Sequence, residues 1–324
     1  MRAIVYREYG PPEVLKLEEM EKPKPADSEV LIRVRAAGVN PLDWHFMRGL
    51  PYLVRIIAGL RKPKDIRFGV DVAGEVEVVG STVEELKVGD AVFGTCRGAF
   101  AEFACAAESK LARKPENVSF EEAAAVPIAA LTALQSLRDK GQIRAGQKVM
   151  INGAAGGVGT FGVQIAKSFG AEVTGVCSTK NVEMVRSIGA DRVFDYTRED
   201  LTKSGERWDV ILDCVSNHSP GEYTRCMSKE GRYVRAGRVD GGGRWMMGAM
   251  KDGLVGSAAS MLGSRKFLSI FARANQKDLE TLGELLKAEK VKPVIDRCYG
   301  LQEVPEAIRY VEQLHVRGKV VVRI

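Results

Sequence analysis

A glycine-rich turn between a predicted strand and a predicted helix constrains this chain more than any other feature. The strand covers residues 148–152, and the helix covers residues 161–169, where apolar residues recur at helical spacing. The turn between them, residues 153–160, has the sequence GAAGGVGT. A turn of this kind points backbone N–H groups and the positive end of the helix at a pyrophosphate.

Four backbone positions in this turn are predicted to contact a dinucleotide. In the GxGxxG register, Ala154 takes the first glycine position, while Gly156 and Gly159 are retained. Glycine at these positions lets the backbone approach the pyrophosphate closely. The predicted contacts are Gly156, Gly157, Val158 and Gly159. A tight turn that is rich in glycine only for packing is the alternative.

Strands and helices alternate in the sequence after Pro127. The strand-like segments KVMIN, AEVTGVC, DRVFDY, DVILDCV and RYVRAG are separated by helix-like stretches near residues 158–168, 181–189 and 220–229, and another helix-like stretch covers 277–289. This alternation predicts an α/β fold with a doubly wound parallel sheet. The first 118 residues differ, because their short strands are broken by proline and glycine, which predicts a strand-rich, barrel-like unit.

The chain is long enough for two domains. It has 324 residues, whereas single domains mostly have about 100 to 200. The final strand-like segment, residues 318–324, is followed by no crossover helix and is expected to return to the first domain. We therefore predict a first domain of residues 1–118 completed by 293–324, and a dinucleotide-binding domain of residues 119–292.

Composition limits the partners of this chain. Lysine and arginine outnumber aspartate and glutamate by 48 to 42, which predicts no nucleic-acid surface but suits an anionic cofactor. The most basic stretch, residues 55–67, is interpreted as a solvated loop. Scattered cysteines without a CxxC pair predict reduced thiols and a cytoplasmic protein. Residues 245–263 are interpreted as a mobile surface segment or amphipathic helix, with a membrane-surface anchor as the weaker alternative.

The end of the second strand of the parallel sheet indicates which dinucleotide fits. An NAD site commonly has a carboxylate there for the ribose hydroxyls. This chain has Ser178, Thr179, Lys180 and Asn181, which supply donors for a 2′-phosphate. NADPH is therefore the predicted cofactor. The alternative is that Ser178 or Thr179 caps the next helix and Lys180 is solvated.

Several motifs together resemble the medium-chain dehydrogenase/reductase superfamily. They are AAGVNPLDW at residues 36–44, GVDVAGEV at 69–76, VGDAVFG at 88–94, AAGGVG at 154–159 and GKVV at 318–321. The resemblance covers nearly the whole chain. It implies a GroES-like, strand-rich catalytic domain followed by a Rossmann domain.

The metal-ligand positions of this superfamily have changed in the sequence. Zinc alcohol dehydrogenases have a cysteine where this chain has Asn40 and a GHE motif where it has GVD at residues 69–71, so that Val70 replaces the histidine. The chain thus resembles the zinc-free quinone oxidoreductases, the zeta-crystallin-like branch, and within it the chloroplast-envelope and reticulon-interacting types. For these the resemblance implies NADPH-dependent reduction of quinones or α,β-unsaturated carbonyls, with no metal.

Three residues are predicted to serve catalysis. By the resemblance, Asn40 lies beside the nicotinamide and the substrate, where its amide could donate a hydrogen bond; shaping a turn before Pro41 is the alternative. His45 and Tyr52 are candidate proton donors, with a surface histidine and protonation by water as alternatives. Asp43 is interpreted as a helix-start acid.

The resemblance also implies cofactor contacts outside the glycine turn. They are Thr132 near the nicotinamide, Tyr196 near the adenosine phosphate, Val215 and Gly237 at the ends of the fourth and fifth strands, and Lys319 at the phosphates or substrate. For Thr132 a helix residue bonded to a carbonyl is the alternative, for Tyr196 a core-edge aromatic, and for Lys319 a solvated side chain.

Two further expectations concern turnover and assembly. An NADPH-binding sensor or structural, crystallin-like protein is the alternative to an enzyme, because His45 stands where several relatives have a tyrosine. Residues 265–271 (RKFLSIF) are predicted to form the last strand of the parallel sheet. The resemblance implies a homodimer formed at that apolar edge.

Overall fold

The computed structural model describes residues 1–236 and 264–324. Two predictions, the cofactor contact at Gly237 and the surface segment 245–263, lie outside the described residues. Among the residues described, no helix is long and apolar enough to cross a membrane.

The chain folds into two compact units. Unit 1 comprises Met1–Leu131, Ala274–Glu289 and Pro293–Ile324, and unit 2 comprises Thr132–Arg273 and Lys290–Lys292. These boundaries differ from the predicted ones in two places. Residues 119–131 belong to unit 1 because the helix Phe120–Ala124 packs on strands of that unit, and residues 274–289 belong to it because the helix Gln276–Lys287 packs against the strand Leu111–Arg113.

Unit 1 is rich in short strands, as the sequence predicted. Its strands are β1 (Arg2–Val5), β2 (Lys16–Glu19), β3 (Glu29–Val39), β4 (Asp71–Val79), β5 (Ala91–Thr95), β6 (Phe103–Ala107), β7 (Leu111–Arg113), β14 (Ile295–Gly300) and β15 (Lys319–Arg323). Its helices are α1 (Pro41–Arg48), α2 (Leu53–Ala58), α3 (Phe120–Ala124), α8 (Gln276–Lys287) and α9 (Val304–Glu312). A further helix, α4 (Pro127–Gln135), spans the boundary with unit 2.

The main sheet of unit 1 has the strand order β14-β15-β3-β4-β5-β7, with β6 paired to β3. The predicted return of the C-terminal strand is confirmed, because β15 pairs antiparallel with β3 and places Val320 opposite Val39. On the other side of β3, Gly38 is opposite Asp71 of β4. This register brings the start of β15, the end of β3 and the start of β4 to the same end of the sheet.

Unit 2 contains a six-stranded parallel sheet in the order β10-β9-β8-β11-β12-β13. The strands are β8 (Lys148–Asn152), β9 (Glu172–Cys177), β10 (Arg192–Asp195), β11 (Trp208–Asp213), β12 (Met227–Arg235) and β13 (Lys266–Ser269). The helices are α5 (Gly157–Ser168), α6 (Val182–Ser187) and α7 (Pro220–Cys226), and a π-helical turn covers Ser136–Lys140. The order reverses at β8, which is where an open α/β sheet binds its ligand. The predicted α/β, doubly wound fold is confirmed.

The helix α7 of unit 2 begins where the sequence supplies a cap. Ser219 and Glu222 form a capping box at α7, with Glu222 N–H donating to Ser219 Oγ and Ser219 N–H donating to the Glu222 carboxylate. The helix predicted for 220–229 ends earlier, at Cys226, because the next residues pair with β11 as strand β12. β13 is the edge strand that the sequence predicted, and the homodimer at that edge stays a prediction.

Candidate active site

In the glycine turn of unit 2, packing and backbone conformation explain the glycines at positions 153 and 159 but not the glycine at position 156. Gly153 has φ +83°, and a Cβ added to Gly159 would lie 2.1 Å from Gly153 O, so the fold itself requires glycine at both positions. A Cβ added to Gly156 would meet nothing closer than Gly153 O at 3.5 Å. Gly156 precedes the first residue of α5, where Gly157, Val158 and Gly159 form the first turn. Free space above a helix N-terminus fits the pyrophosphate of a dinucleotide.

The residues after β9 do not act as helix caps. Ser178 and Asn181 precede a short turn and α6 without making a side-chain capping bond. Ser178 Oγ accepts a hydrogen bond from Asn181 Nδ2 at 3.3 Å, and Asn181 Oδ1 is buried without a partner in the described part of the chain. Lys180 is exposed, and no described residue pairs with it. The capping alternative is therefore not supported, and of the donors predicted for a 2′-phosphate, Ser178 and Lys180 remain available at this strand end, whereas the hydroxyl of Thr179 donates to Asp195.

Sequence reasoning missed a carboxylate beside these residues. Asp195, the last residue of β10, is paired with Cys177 in the parallel register. Its carboxylate accepts hydrogen bonds from Thr179 Oγ1 at 2.6 Å and from Thr197 Oγ1 at 2.7 Å. These bonds, the one from Thr179 first, hold the pKa of Asp195 below its usual value, so the group is ionised. Adjacent parallel strands end at the same edge, and that rule applied to DRVFD could have found Asp195.

The other predicted cofactor contacts of unit 2 occupy different environments. Tyr196 is 60% exposed, so the core-edge alternative is wrong and its ring is accessible to a ligand. Thr132 is buried on α4. Val215 follows β11, and its Cγ2 would contact a Cβ at Gly153, which places the turn after β11 against the glycine turn.

A buried hydrogen-bond network, also missed from the sequence, fixes the turn that carries Val215. One carboxylate oxygen of Asp213 accepts from Asn152 Nδ2 at 2.9 Å and from Val215 N–H at 3.0 Å. The other oxygen accepts from Tyr233 Oη at 2.7 Å. Burial and the charge of Asp213 raise the pKa of Tyr233, which keeps its hydroxyl protonated as a donor. The turns after β8 and β11 are thus joined at the ligand-binding edge of the sheet.

In unit 1, the polar side chain of Asn40 is held at the end of β3 by two charged groups. Asn40 Nδ2 donates to Asp71 Oδ2 at 2.8 Å, while Lys319 Nζ donates to Asn40 Oδ1. An ammonium can only donate and a carboxylate can only accept, so these contacts fix the orientation of the carboxamide. Asn40 is 2% exposed. One of its two amide N–H groups is bonded to Asp71, so only the other could serve the predicted donor role.

Lys319 is buried rather than solvated. It is 3% exposed, its Nζ donates to Val39 O at 3.1 Å, and it lies 3.6 Å from Asp71 Oδ2. The expectation of a solvated lysine is wrong. The contact of Lys319 with the cofactor phosphates or the substrate stays a prediction, and the described partners of the amine all lie within unit 1. The sequence could not show this position, because it follows from the pairing of β15 with β3.

Burial and attraction oppose each other in this ionic cluster. Burial lowers the pKa of Lys319 and raises the pKa of Asp71, while the attraction between the two groups acts in the other direction. Asp71 Oδ1 also accepts from Ile128 N–H at 3.1 Å. Lys319 and Asp71 thus both form hydrogen bonds with neighbours in unit 1. We call Asn40, Asp71 and Lys319 the buried triad.

Asp43 confirms the prediction of a helix-start acid. Its Oδ2 accepts from Asn40 N–H at 2.8 Å in the first turn of α1. Its Oδ1 is buried and has no partner among the described residues. Burial raises the pKa of Asp43 to about 8, and the hydrogen bond from Asn40 only partly opposes this effect.

The two predicted proton donors make contacts of their own. His45 Nδ1 is 2.8 Å from Leu50 O, and burial lowers the pKa of the imidazole, so the neutral ring donates from Nδ1 and leaves Nε2 as an acceptor. Tyr52 is 71% exposed, with the guanidinium of Arg55 4.9 Å from its ring centre. In the part of the chain that the structure describes, no hydrogen bond connects Asn40, His45 and Tyr52.

The residues at the zinc-ligand positions do not fit zinc. Asn40 and Val70 offer an amide and an alkyl group, whereas catalytic zinc takes cysteine, histidine and carboxylate ligands. The amide is in addition bonded to the ammonium of Lys319, which would repel a divalent cation. Across residues 1–236 and 264–324, no cluster of three or more histidine, cysteine or acidic residues has the arrangement of a metal site.

Comparison with known proteins covers both units. Family models match residues 26–116, described as the alcohol dehydrogenase GroES-like domain, and residues 188–322, described as zinc-binding dehydrogenase. The chain is 30% identical to the chloroplast envelope quinone oxidoreductase homolog of Arabidopsis thaliana, over 99% of this chain and 98% of that protein. It is 33% identical to the NADPH-dependent alkenal/one oxidoreductase, chloroplastic, of Arabidopsis thaliana, over 99% of this chain and 79% of that protein. The solved quinone oxidoreductase from Coxiella burnetii superposes with a TM-score of 0.85 at 30% identity, covering 100% of this chain and 99% of that chain.

Loss of the ammonium from the buried triad should destabilise unit 1. Lys319→Met leaves the Asp71 carboxylate and the Asn40 oxygen buried without their partner, and we expect a loss of about 3 to 5 kcal/mol in the free energy of unfolding, measured by denaturant titration. Lys319→Met combined with Asp71→Asn should lose less than the sum of the two single changes. Lys87→Met, at an exposed lysine of unit 1, is the control. Equal stability of the Lys319→Met and Lys87→Met variants would contradict the assignment of Lys319 as a buried ammonium paired with Asn40 and Asp71.

Proposed function

Because this chain is an oxidoreductase of the quinone oxidoreductase-like branch of the medium-chain dehydrogenase/reductase superfamily, we propose that it uses NADPH to reduce quinones or the C=C bond of α,β-unsaturated carbonyl compounds, without zinc. NADPH, when bound, supplies the hydride for this reduction. The chain's own residues bind the two reactants, orient them and exclude water.

The observation that carries this proposal is the buried triad. Lys319 brings a positive charge to Asn40 and Asp71, in the region where zinc relatives hold their metal. Reduction of a simple ketone benefits from a Lewis acid on its oxygen. A quinone or enone needs less help, because conjugation spreads the developing negative charge over several atoms. A site without a metal therefore suits acceptors that conjugation has already activated.

The residues around β8, β9 and β10 support NADPH as the cofactor. The free space at Gly156 and the first N–H groups of α5 suit the pyrophosphate, and Lys180 with Ser178 suits the 2′-phosphate. The carboxylate of Asp195 would oppose a phosphate, but the hydroxyls of Thr179 and Thr197 already bind it, and Arg198 lies 3.5 Å away. The exposed ring of Tyr196 stands at the same edge for the adenosine.

The proton that completes the reduction is proposed to come from water. Neutral His45 is a poor donor, because its one N–H faces Leu50 O and its pKa is lowered by burial. Tyr52 is exposed enough to exchange protons, but no described contact directs its hydroxyl toward Asn40. Proton transfer from water requires neither His45 nor Tyr52.

The purified protein is expected to oxidise NADPH in the presence of a naphthoquinone or a short 2-alkenal, and to leave a saturated aldehyde unreduced. The rate is read from the loss of NADPH absorbance, with NADH in a parallel series. NADPH should be preferred because Lys180 and Ser178 replace the acidic residue of an NAD site. Protein that binds NADPH but reduces neither acceptor class would overturn the proposal.

Lys180→Ala is expected to raise the KM for NADPH by about 10-fold or more and to change the KM for NADH little, because a charge-assisted bond to a phosphate contributes about 1.5 to 3 kcal/mol. Lys203→Ala, at another exposed lysine of unit 2, is the matched control and should change neither constant. Parallel increases for the two cofactors would show that Lys180 does not recognise the 2′-phosphate.

A further inference from the structure

The short helix α2 carries its apolar side chains outward. Leu53, Ile56 and Ile57 recur at the spacing of one helical face, and Leu60 lies two residues after the helix ends at Ala58. The four side chains are 48%, 61%, 78% and 73% exposed. A contiguous exposed apolar face marks an interaction site more often than scattered single residues do. We call these four residues the α2 outer face. The sequence interpretation of residues 55–67 as a solvated loop holds for Arg61, Lys62 and Lys64, which are exposed and lie outside helices and strands, and is corrected for residues 55–58, which are helical.

The exposure of this face is built into unit 1. Arg55 lies on the inner side of α2, where its Nε donates to Gly49 O at 3.0 Å and its guanidinium lies 4.5 Å from the ring centre of Tyr9. Tyr9 Oη donates to Gly59 O at 2.6 Å at the end of the helix. These contacts hold the inner side of α2 against the rest of unit 1, so the apolar face cannot turn inward without breaking them.

The chain segment that carries the α2 outer face is rich in cations. Residues 44–64 contain five lysines and arginines and no aspartate or glutamate. Three of the cations, Arg61, Lys62 and Lys64, directly follow the apolar face, are exposed, and form no ion pair within the described chain. Apolar side chains beside unpaired cations are the composition of a surface that lies in the headgroup region of an anionic bilayer.

The positive charge beside the α2 outer face favours an anionic bilayer over a second copy of the chain as its partner. In a two-fold symmetric dimer through this face, the cations of both copies would be brought into one interface. Like charges brought together in this way oppose association. Anionic lipid instead neutralises the cations while the apolar face leaves water.

We propose that the α2 outer face and the cations Arg61, Lys62 and Lys64 dock this protein reversibly on bilayers that contain anionic lipid. This inference goes beyond the proposed reductase activity and holds whether the acceptor is dissolved in water or in lipid. It also differs from the anchor considered for residues 245–263.

Vesicle sedimentation of the full chain tests the proposal. The wild-type protein should bind vesicles of phosphatidylcholine with about one third phosphatidylglycerol, and bind pure phosphatidylcholine about 10-fold more weakly or worse. The double variant Ile56→Ser/Ile57→Ser should lose at least about 10-fold in binding to the anionic vesicles. Leu17→Ser/Val88→Ser, at exposed apolar residues elsewhere in unit 1, should bind as the wild type does. Unchanged thermal unfolding of both double variants confirms that they fold.

Three results would overturn the proposal. The first is a wild-type protein that binds neither vesicle. The second is equal binding by Ile56→Ser/Ile57→Ser and the wild type. The third is a wild-type dimer that Ile56→Ser/Ile57→Ser converts to a monomer, which would assign the face to a second copy. Because the readout is sedimentation, it is independent of NADPH turnover, and its failure is distinct from failure of the proposed function.

Discussion

The ionic contact of Lys319 with Asn40 and Asp71 connects three distant parts of the chain. The lysine begins the C-terminal strand, the asparagine ends β3 and the aspartate begins β4, so the contact forms only when all three strands are in register. A buried charge is costly unless it is paired and hydrogen-bonded. The pairing therefore fixes the register, and it also fixes the orientation of the Asn40 carboxamide next to the first turn of α1. The register of the three strands and the orientation of the Asn40 carboxamide thus depend on the same contact.

In the glycine turn of unit 2, the fold requires some of the glycines, whereas another leaves space for a ligand. Gly153 and Gly159 are glycines because the turn itself has no room for a side chain, whereas the space around Gly156 is left open. Behind this turn, Asp213 receives hydrogen bonds from the ends of β8 and β12 and from the backbone after β11. The strand ends at which an open α/β sheet binds its ligand are thus held by a buried network.

The sequence predicted the secondary structure of unit 2 and the glycine turn, because both depend on patterns within a few residues. It also predicted that the last strand returns to unit 1. It did not predict the burial of Lys319 or the approach of Asp195 to Thr179, because each depends on which strands are neighbours and in which register. The outward apolar face of α2 was missed for a related reason, since spacing shows that one face is apolar but not which way it points. Helix and strand ends shifted by a few residues where one element follows another directly, as at Cys226 and Met227.

We propose that the buried triad takes the place of a catalytic metal. Elemental mass spectrometry of the active protein, purified from zinc-supplemented cells, tests this claim most directly. The account predicts a zinc content far below one ion per chain together with full NADPH-dependent reductase activity, because an amide bonded to an ammonium is a poor zinc ligand. One zinc ion per chain, lost together with activity on chelation and replaced with its recovery, would contradict it.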